Sequence, residues 1–386
     1  MVEQSVRVEP AAGLAGAAVL VSGASFAGLA TAWWLDRLGC RVTVVETAGA
    51  LRRGGTPVDI QGDTIGILGR MGMIDAVRAK ALPPRGLQFK NADDSTVGAM
   101  PAQPESEGEQ YEIHRDDLLD ILFGAVEGSA EILFGRSIRR LEDGPDSVTA
   151  TLDDGSRRDV AMVFGCDGNR SNTRRLAFGD EADFSHFMGG YFVLKVVPDT
   201  GLLPANVTQV FSVPGRMAML NGYHDRTDIG LAFRSEGRIA YDHRDRAQQR
   251  RMIHDHFDGL GWKVPAALDH LDADDDFYFD VLNQIRMPAW SRGRVALVGD
   301  AGYCVSPLAG MGGSMAIIGA AGLADALERH GSDYRTAFRE YHDRLRPFVD
   351  EVQERAVSQG LAMMFPADEA GLAERDRRIG AGVLDI

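Results

Sequence analysis

The chain has 386 residues, 45% hydrophobic and 25% charged, the balance of a globular protein with one large domain or two ordinary ones. Its formal net charge of -15 excludes a general polyanion binder, because nucleic-acid affinity rests on a basic footprint, so the expected ligand is a small molecule. Cys40, Cys166 and Cys304 show neither CxxC nor Cys/His spacing, which argues against a disulfide framework or a metal site and for a reducing cytoplasm; no apolar run is long enough for a membrane span, and the first ten residues lack the order of a signal peptide.

Residues 1–16 are small and weakly patterned and read as a loose tail. An apolar run at 18–21, a glycine-punctuated turn, helical spacing over 29–38 ended by Gly39, and a β-branched run at 41–46 then predict a strand, helix, strand unit. Helices follow over 63–71 and 74–80, a loop over 100–110, a helix over 115–126, and strands over 131–134, 148–152 and 160–165. Between 184 and 285 the pattern turns hairpin-like, with strands over 191–197, 208–213, 216–220 and 228–233 separated by Pro, Gly and Asn turns, as expected of an antiparallel layer. The run 294–300 restores a buried strand, followed by a glycine-rich loop, a helix over 313–329 and a long charged helix over 333–363.

Three motifs carry chemistry. The first is Gly23-Ala24-Ser25-Phe26-Ala27-Gly28, a GxGxxG fingerprint with serine in the second glycine position. Between a strand and a helix this spacing provides a tight turn, a close backbone approach to a pyrophosphate and close helix packing, and Glu46 at the end of the next strand is placed to accept from an adenosine ribose. Its charge favours an unphosphorylated ribose. The second motif is Asp167-Gly168, directly after the apolar run 161–164; on its residues alone it is as well read as a plain turn. The third runs from Gly299-Asp300 through Pro307 to Gly310, Gly312 and Gly313. A buried strand ending in Gly-Asp and a glycine loop opening a helix can hold a polyol hydroxyl and offer backbone N–H groups to an electron-rich ligand edge; the alternative is a flexible loop with a capping aspartate.

In this order the three motifs resemble those of the para-hydroxybenzoate hydroxylase-like class of single-component FAD monooxygenases, and the likeness runs from Ala17 through nearly the whole chain. With its compact length and the run Tyr111-Glu112-Ile113-His114-Arg115-Asp116-Asp117-Leu118, the chain looks most like the tetracycline-inactivating and antibiotic-tailoring members. The resemblance implies an α/β fold: a Rossmann-like (GR2-type) FAD-binding domain over 17–82, 111–183 and 286–386, an inserted, mostly antiparallel β-sheet substrate domain over 83–110 and 184–285, and long C-terminal helices. It implies FAD as cofactor, NADPH or NADH as co-substrate, molecular oxygen, and transfer of one oxygen atom through a flavin hydroperoxide to an aromatic or polyketide-like molecule. Carried over, Gly23, Ser25, Ala27 and Gly28 would cradle the pyrophosphate, Glu46 the ribose, Arg53 and Arg115 other parts of FAD, Asp167 both FAD and the nicotinamide nucleotide, Asp300 a ribityl hydroxyl, and Gly312 and Gly313 the pyrimidine edge. Tyr191, Phe192, Arg216, Met219, Asn221, Tyr223 and Phe233 are pocket candidates that compete with plain core packing; His224 is a candidate base that competes with a solvated turn. No metal and no nucleic acid are expected, and the chain reads as a monomer or a dimer.

The sequence departs from the class at Asp300-Ala301-Gly302-Tyr303, where Asp-Ala-Ala-His is usual, and at Gly310-Met311-Gly312-Gly313-Ser314, where Gly-x-Gly-x-Asn is usual. These changes leave a second reading open, a protein that keeps FAD as a scaffold for a non-redox cyclase or binding module; consumption of NAD(P)H on adding substrate separates the two. A flavin-dependent halogenase is disfavoured, because Trp33, Trp34, Trp262 and Trp290 form no WxWxIP motif.

Overall fold

The computed structural model describes residues 13–102, 110–198, 201–356 and 366–380; most of the expected tail, most of the loop at 100–110 and the end of the helix at 333–363 lie outside them. The first strand, Ala18–Ser22, sits near the middle of a six-stranded sheet. Arg41–Glu46 and then Glu131–Phe134 lie on one side of it, and Met162–Gly165, Val295–Leu297 and Ser291–Arg292 on the other. All neighbours run parallel except the last pair. Strands covered on both faces read as near-continuous apolar runs, which is why Val19, Leu20 and Val21 are all buried.

The helix Phe26–Arg37 is buried over ten consecutive residues, Phe26 to Leu35, and so lacks the polar face of a surface helix. It is packed between this sheet and the helices Arg115–Val126 and Gly312–His330. A small sheet of Ile138–Asp143, Val148–Leu152 and Arg157–Val160 encloses a separate apolar cluster with Leu20, Val163 and Val295.

A second, seven-stranded sheet has the order Tyr278–Ile285, Ser185–Pro198, Arg226–Arg234, Arg216–Gly222, Val207–Val213, Gly86–Lys90, Thr96–Met100. It is antiparallel apart from the pairing of Val207–Val213 with Gly86–Lys90. One face is covered by the helices Arg246–Phe257 and Val264–Asp272, which the sequence reading did not identify, and holds its own core of Val193, Leu231, Phe257 and Leu268. The opposite face carries Phe89, Val210, Met217 and Leu282 and meets Leu308 and Ala309 of the glycine-rich loop. Gly86–Lys90 and Thr96–Met100 are short and half-buried, so their alternation is too weak to read in advance. No helix among the described residues is long and apolar enough to cross a membrane.

Candidate active site

Three adjacent parallel strands, Ala18–Ser22, Met162–Gly165 and Val295–Leu297, each lead into one of the three motifs. Because the strands run the same way, the motifs meet at one carboxyl edge, where open α/β sheets bind ligands. The amide of Cys166 donates to the Ser22 carbonyl at 2.8 Å and that of Val298 to the Gly165 carbonyl at 2.9 Å, which ties the three connections together.

The fingerprint glycines are dictated by close approach. A Cβ on Gly28 would stand 1.8 Å from the Gly23 carbonyl oxygen, and one on Gly23, at φ +107°, would meet the Cys166 carbonyl oxygen at 2.4 Å. Ser25 precedes the helix Phe26–Arg37 and caps it with no side-chain hydrogen bond, so the first-turn amides keep free N–H groups and partial positive charge. Ala27 packs under the third motif, where a Cβ on Gly299 would touch the Ala27 methyl at 3.0 Å. Glu46 accepts from the Ala24 amide at 2.9 Å and the Ala48 amide at 2.8 Å, which fixes its carboxylate beside the fingerprint turn.

Arg115 closes the other side. Its guanidinium donates to the carbonyls of Arg52 at 2.9 Å and Gly54 at 3.1 Å and to the Ser25 hydroxyl at 3.3 Å, and it lies over the Phe26 ring. Burial holds its pKa below the usual arginine value, a cost that a nearby anion would offset. Arg53 is not brought in: it is half-exposed and pairs with Asp120 at 2.7 Å. Its neighbour Arg52, more exposed still at 72%, reaches to 4.0 Å from Glu46 at the rim of the same turn.

Asp167 is committed to the protein. One carboxylate oxygen accepts from the Thr173 amide and hydroxyl, both at 2.8 Å, and from Ser22 at 3.3 Å, while the other accepts from Ser171. It therefore fixes the turn that carries Gly168 and Arg170. From the same stretch, fully buried Arg174 donates to the carbonyls of Ala301 and Asn169 at 2.9 and 2.6 Å, locking the second motif to the third.

Asp300 opens the short helix Asp300–Tyr303, and the Cys304 thiol is its side-chain partner among the described residues. Burial raises its carboxyl to about 6, the state of a carboxylate that lacks strong donors. Gly312 and Gly313 begin the helix Gly312–His330, whose start also has no side-chain cap. Gly313 lies against Val58 and Phe26, so this helix start faces the same cleft as the fingerprint helix.

The departure at Gly302-Tyr303 is a packing exchange. Tyr303 is buried against Gly319, where a Cβ would fall 1.8 Å from the tyrosine hydroxyl, and that hydroxyl accepts from Tyr341 at 2.9 Å. Gly302 makes room for Trp290, whose ring lies 4.5 Å from that of Tyr303. The tyrosine thus points along the last helices, well past their start at Gly312.

The pocket candidates divide by sheet face. Tyr191 and Phe233 are stacked at 5.3 Å inside the core under the two helices, and Arg216 donates to the His256 carbonyl there at 3.0 Å. The candidates include residues of both parities, and for Tyr191, Phe233 and Arg216 the competing reading, core packing and helix docking, is the one the structure has. Met219 and Phe192 lie on the face toward Leu308 and Ala309. Asn221 is buried and accepts from Thr208 at 2.8 Å; Tyr223 is buried beneath Arg85 and edge-on to His114. His224 is exposed in a hairpin turn and faces no other ring or carboxylate among the described contacts, which removes the reason to read it as a base.

At one sheet edge the chain thus gathers two uncapped helix starts, the fixed Glu46 carboxylate, the buried Arg115 guanidinium and Asp300, whose side-chain partner among the described residues is a thiol. A family model described as FAD binding domain matches residues 16–356. A flavin-dependent monooxygenase of Legionella longbeachae is 32% identical over 379 residues, covering 95% of each chain, and an uncharacterized protein of Mycobacterium tuberculosis is 39% identical over 348 residues, covering 87% of this chain and 91% of that one. The crystal structure of the tetracycline destructase Tet(51) superposes with a TM-score of 0.83 at 30% identity over 95% of this chain and 96% of that one. The chain belongs to the FAD-binding-domain family and is one of its flavin-dependent monooxygenases.

Proposed function

We propose that the enzyme consumes NADH or NADPH and oxygen to hydroxylate an aromatic or polyketide-like small molecule. The observation that carries this reading is the convergence of the three motifs at one sheet edge, facing a separate sheet whose free side is apolar. When bound, FAD supplies the redox chemistry, accepting hydride and activating oxygen. The chain's own residues hold it. Gly23, Ser25, Ala27 and Gly28 admit the pyrophosphate to the first-turn amides, Glu46 accepts from the ribose with Arg52 beside it, and Arg115 closes over the turn. Asp300 accepts from a ribityl hydroxyl, while the Gly312 and Gly313 amides face the pyrimidine edge, where a helix start stabilises negative charge.

Asp167 acts through the turn it fixes, which presents Gly168 and Arg170 to the nicotinamide nucleotide. The FAD-binding part comprises 17–82, 111–183 and 286–386, and the part formed by 83–110 and 184–285 lays its apolar face over the flavin, keeps water out and orients the substrate with Met219, Phe192 and Asn221. Three buried free thiols fit a cytoplasmic location. The scaffold reading rested on the Tyr303 departure, and the packing of Tyr303 against Gly319 accounts for that change without any loss at Asp300 or the helix start.

The test is oxidation of NADH and of NADPH by the purified holoenzyme under air, with and without phenols, anthracyclines, tetracyclines and rifamycins. Acceleration by one compound class is expected; FAD that neither nucleotide reduces, with or without those compounds, contradicts the proposal.

A further inference from the structure

Tyr278 is the one large hydrophobic residue, among those described, that the fold leaves exposed, at 49%. A single exposed aromatic is ordinary on an outer surface. This one is different in three respects. It shares a sheet face with Asp280 and Leu282, two and four residues along the same strand, which is the face toward the glycine-rich loop. Its ring lies 5.4 Å from that of Phe192 on the neighbouring strand, on the same face. And its hydroxyl is enclosed: the groups that act on it electrostatically are Asp280, Cys304 and Asp300, and it in turn acts on Arg115. A half-exposed ring on the face toward the glycine-rich loop, tied through Asp280 to Arg170 of the second motif, stands at the rim of the flavin cleft rather than on the outer surface.

The tip is also fixed. The Tyr278 hydroxyl donates to one Asp280 oxygen at 2.9 Å, while the other oxygen takes Arg170 at 2.5 Å, the Val281 amide at 2.8 Å and Tyr241 at 3.3 Å. Asp280 itself is buried. A carboxylate held this way can only accept, so the tyrosine spends its single proton on it and turns its lone pairs outward. The result is an aromatic wall with a fixed acceptor at its deep end.

We infer that Tyr278 is a substrate-positioning residue that stacks an aromatic ring and accepts a hydrogen bond from a phenolic hydroxyl or N–H on that ring. This deepens the monooxygenase reading and rests on it for the word substrate. It assigns the enzyme's small molecules to aromatics that carry a donor, and it selects against their methyl ethers, which leave the acceptor unmet.

The test titrates the FAD-loaded protein, without NADH or NADPH, with β-naphthol and with its methyl ether, reading the change in bound-flavin absorbance. Wild type is expected to bind the naphthol more tightly than the ether. Tyr278→Phe is expected to lose about 5- to 10-fold in affinity for the naphthol, one hydrogen bond's worth, and to bind the ether as wild type does. Tyr278→Ala is expected to weaken both. Phe keeps the ring and belongs to no core cluster, so its retained flavin spectrum and melting temperature show that the variant is folded. Equal naphthol affinity in wild type and Tyr278→Phe, or no response of wild-type flavin to the naphthol, overturns the assignment. Reduction of the flavin by NADH or NADPH in the absence of any aromatic is scored separately, so failure of the monooxygenase reading is distinguishable from failure of this one.

Discussion

A single methyl group decides whether the fingerprint turn can close. At Gly28 the missing side chain leaves room for the Gly23 carbonyl, and the 1.8 Å overlap that a Cβ would create is with backbone, which cannot swing aside. Gly28→Ala is therefore expected to leave protein that no longer retains FAD through purification, measured as the ratio of flavin to protein absorbance; a wild-type ratio would show that the turn is not the cradle. Asp300 sets a milder limit. Loss of one hydrogen bond from a charged acceptor to the ribityl chain is expected to weaken FAD by about 10- to 100-fold in Asp300→Ala, read by titrating flavin-stripped protein. The fingerprint, Glu46 and Asp300 were legible in the sequence because glycine and carboxylate spacing along a strand, turn and helix is a local property. The surroundings of Arg53 were not, since its pairing with Asp120 links it to a residue far along the chain.

At the level of elements, the last helices show how one change is absorbed by another. Glycine within a helix normally costs stability, and replacing it by alanine gains about 1 kcal/mol. Gly319→Ala is expected to do the opposite, destabilising by about 1–3 kcal/mol through overpacking on Tyr303, while Tyr303→Phe combined with it restores part of the loss. Chemical denaturation of the two single variants and the double variant checks this. The strand Arg226–Arg234 carries a different tension. Asp228 is 1% exposed, and burial raises its carboxyl to about 7 despite Arg226, Arg85 and the Tyr223 hydroxyl nearby.

A carboxyl raised from 3.8 binds its proton more tightly in the folded chain, so this contribution favours folding below about pH 4 and is lost as pH rises through about 7. Asp228→Asn is expected to be more stable than wild type at pH 8, by on the order of 2 kcal/mol, with the difference vanishing near pH 4. Melting curves at the two pH values decide it; an equal difference at both would show that the carboxyl does not titrate in that range. Most of these elements were visible beforehand, and the helix Arg115–Val126 and the strand Glu131–Phe134 have the expected bounds. The helices Arg246–Phe257 and Val264–Asp272 were not: the first is strongly polar with one buried face of Gln249, Met252, Ile253 and Phe257, the second is only nine residues long, and the sheet they cover makes them a layer.

Across the whole molecule, one sheet gathers the motifs and the other brings an apolar face to them. The order of motifs could be read from sequence because each follows a strand of the same parallel sheet. Which face of the second sheet looks inward could not: Tyr191 and Phe192 are adjacent, and period-two alternation places them on opposite sides without saying which side meets the flavin. That choice is made by Leu308 and Ala309 on one face and by Phe257 and Leu268 on the other, contacts that link residues far apart in the chain. Oxygen transfer defines the reaction. Its most direct test is turnover under isotopically heavy oxygen gas, with NADH or NADPH and the compound that best accelerates their oxidation, followed by mass spectrometry of the product. Incorporation of one heavy oxygen atom per product molecule is the predicted result; a product that carries oxygen from water, or no product while the flavin is reduced and reoxidised, would contradict it.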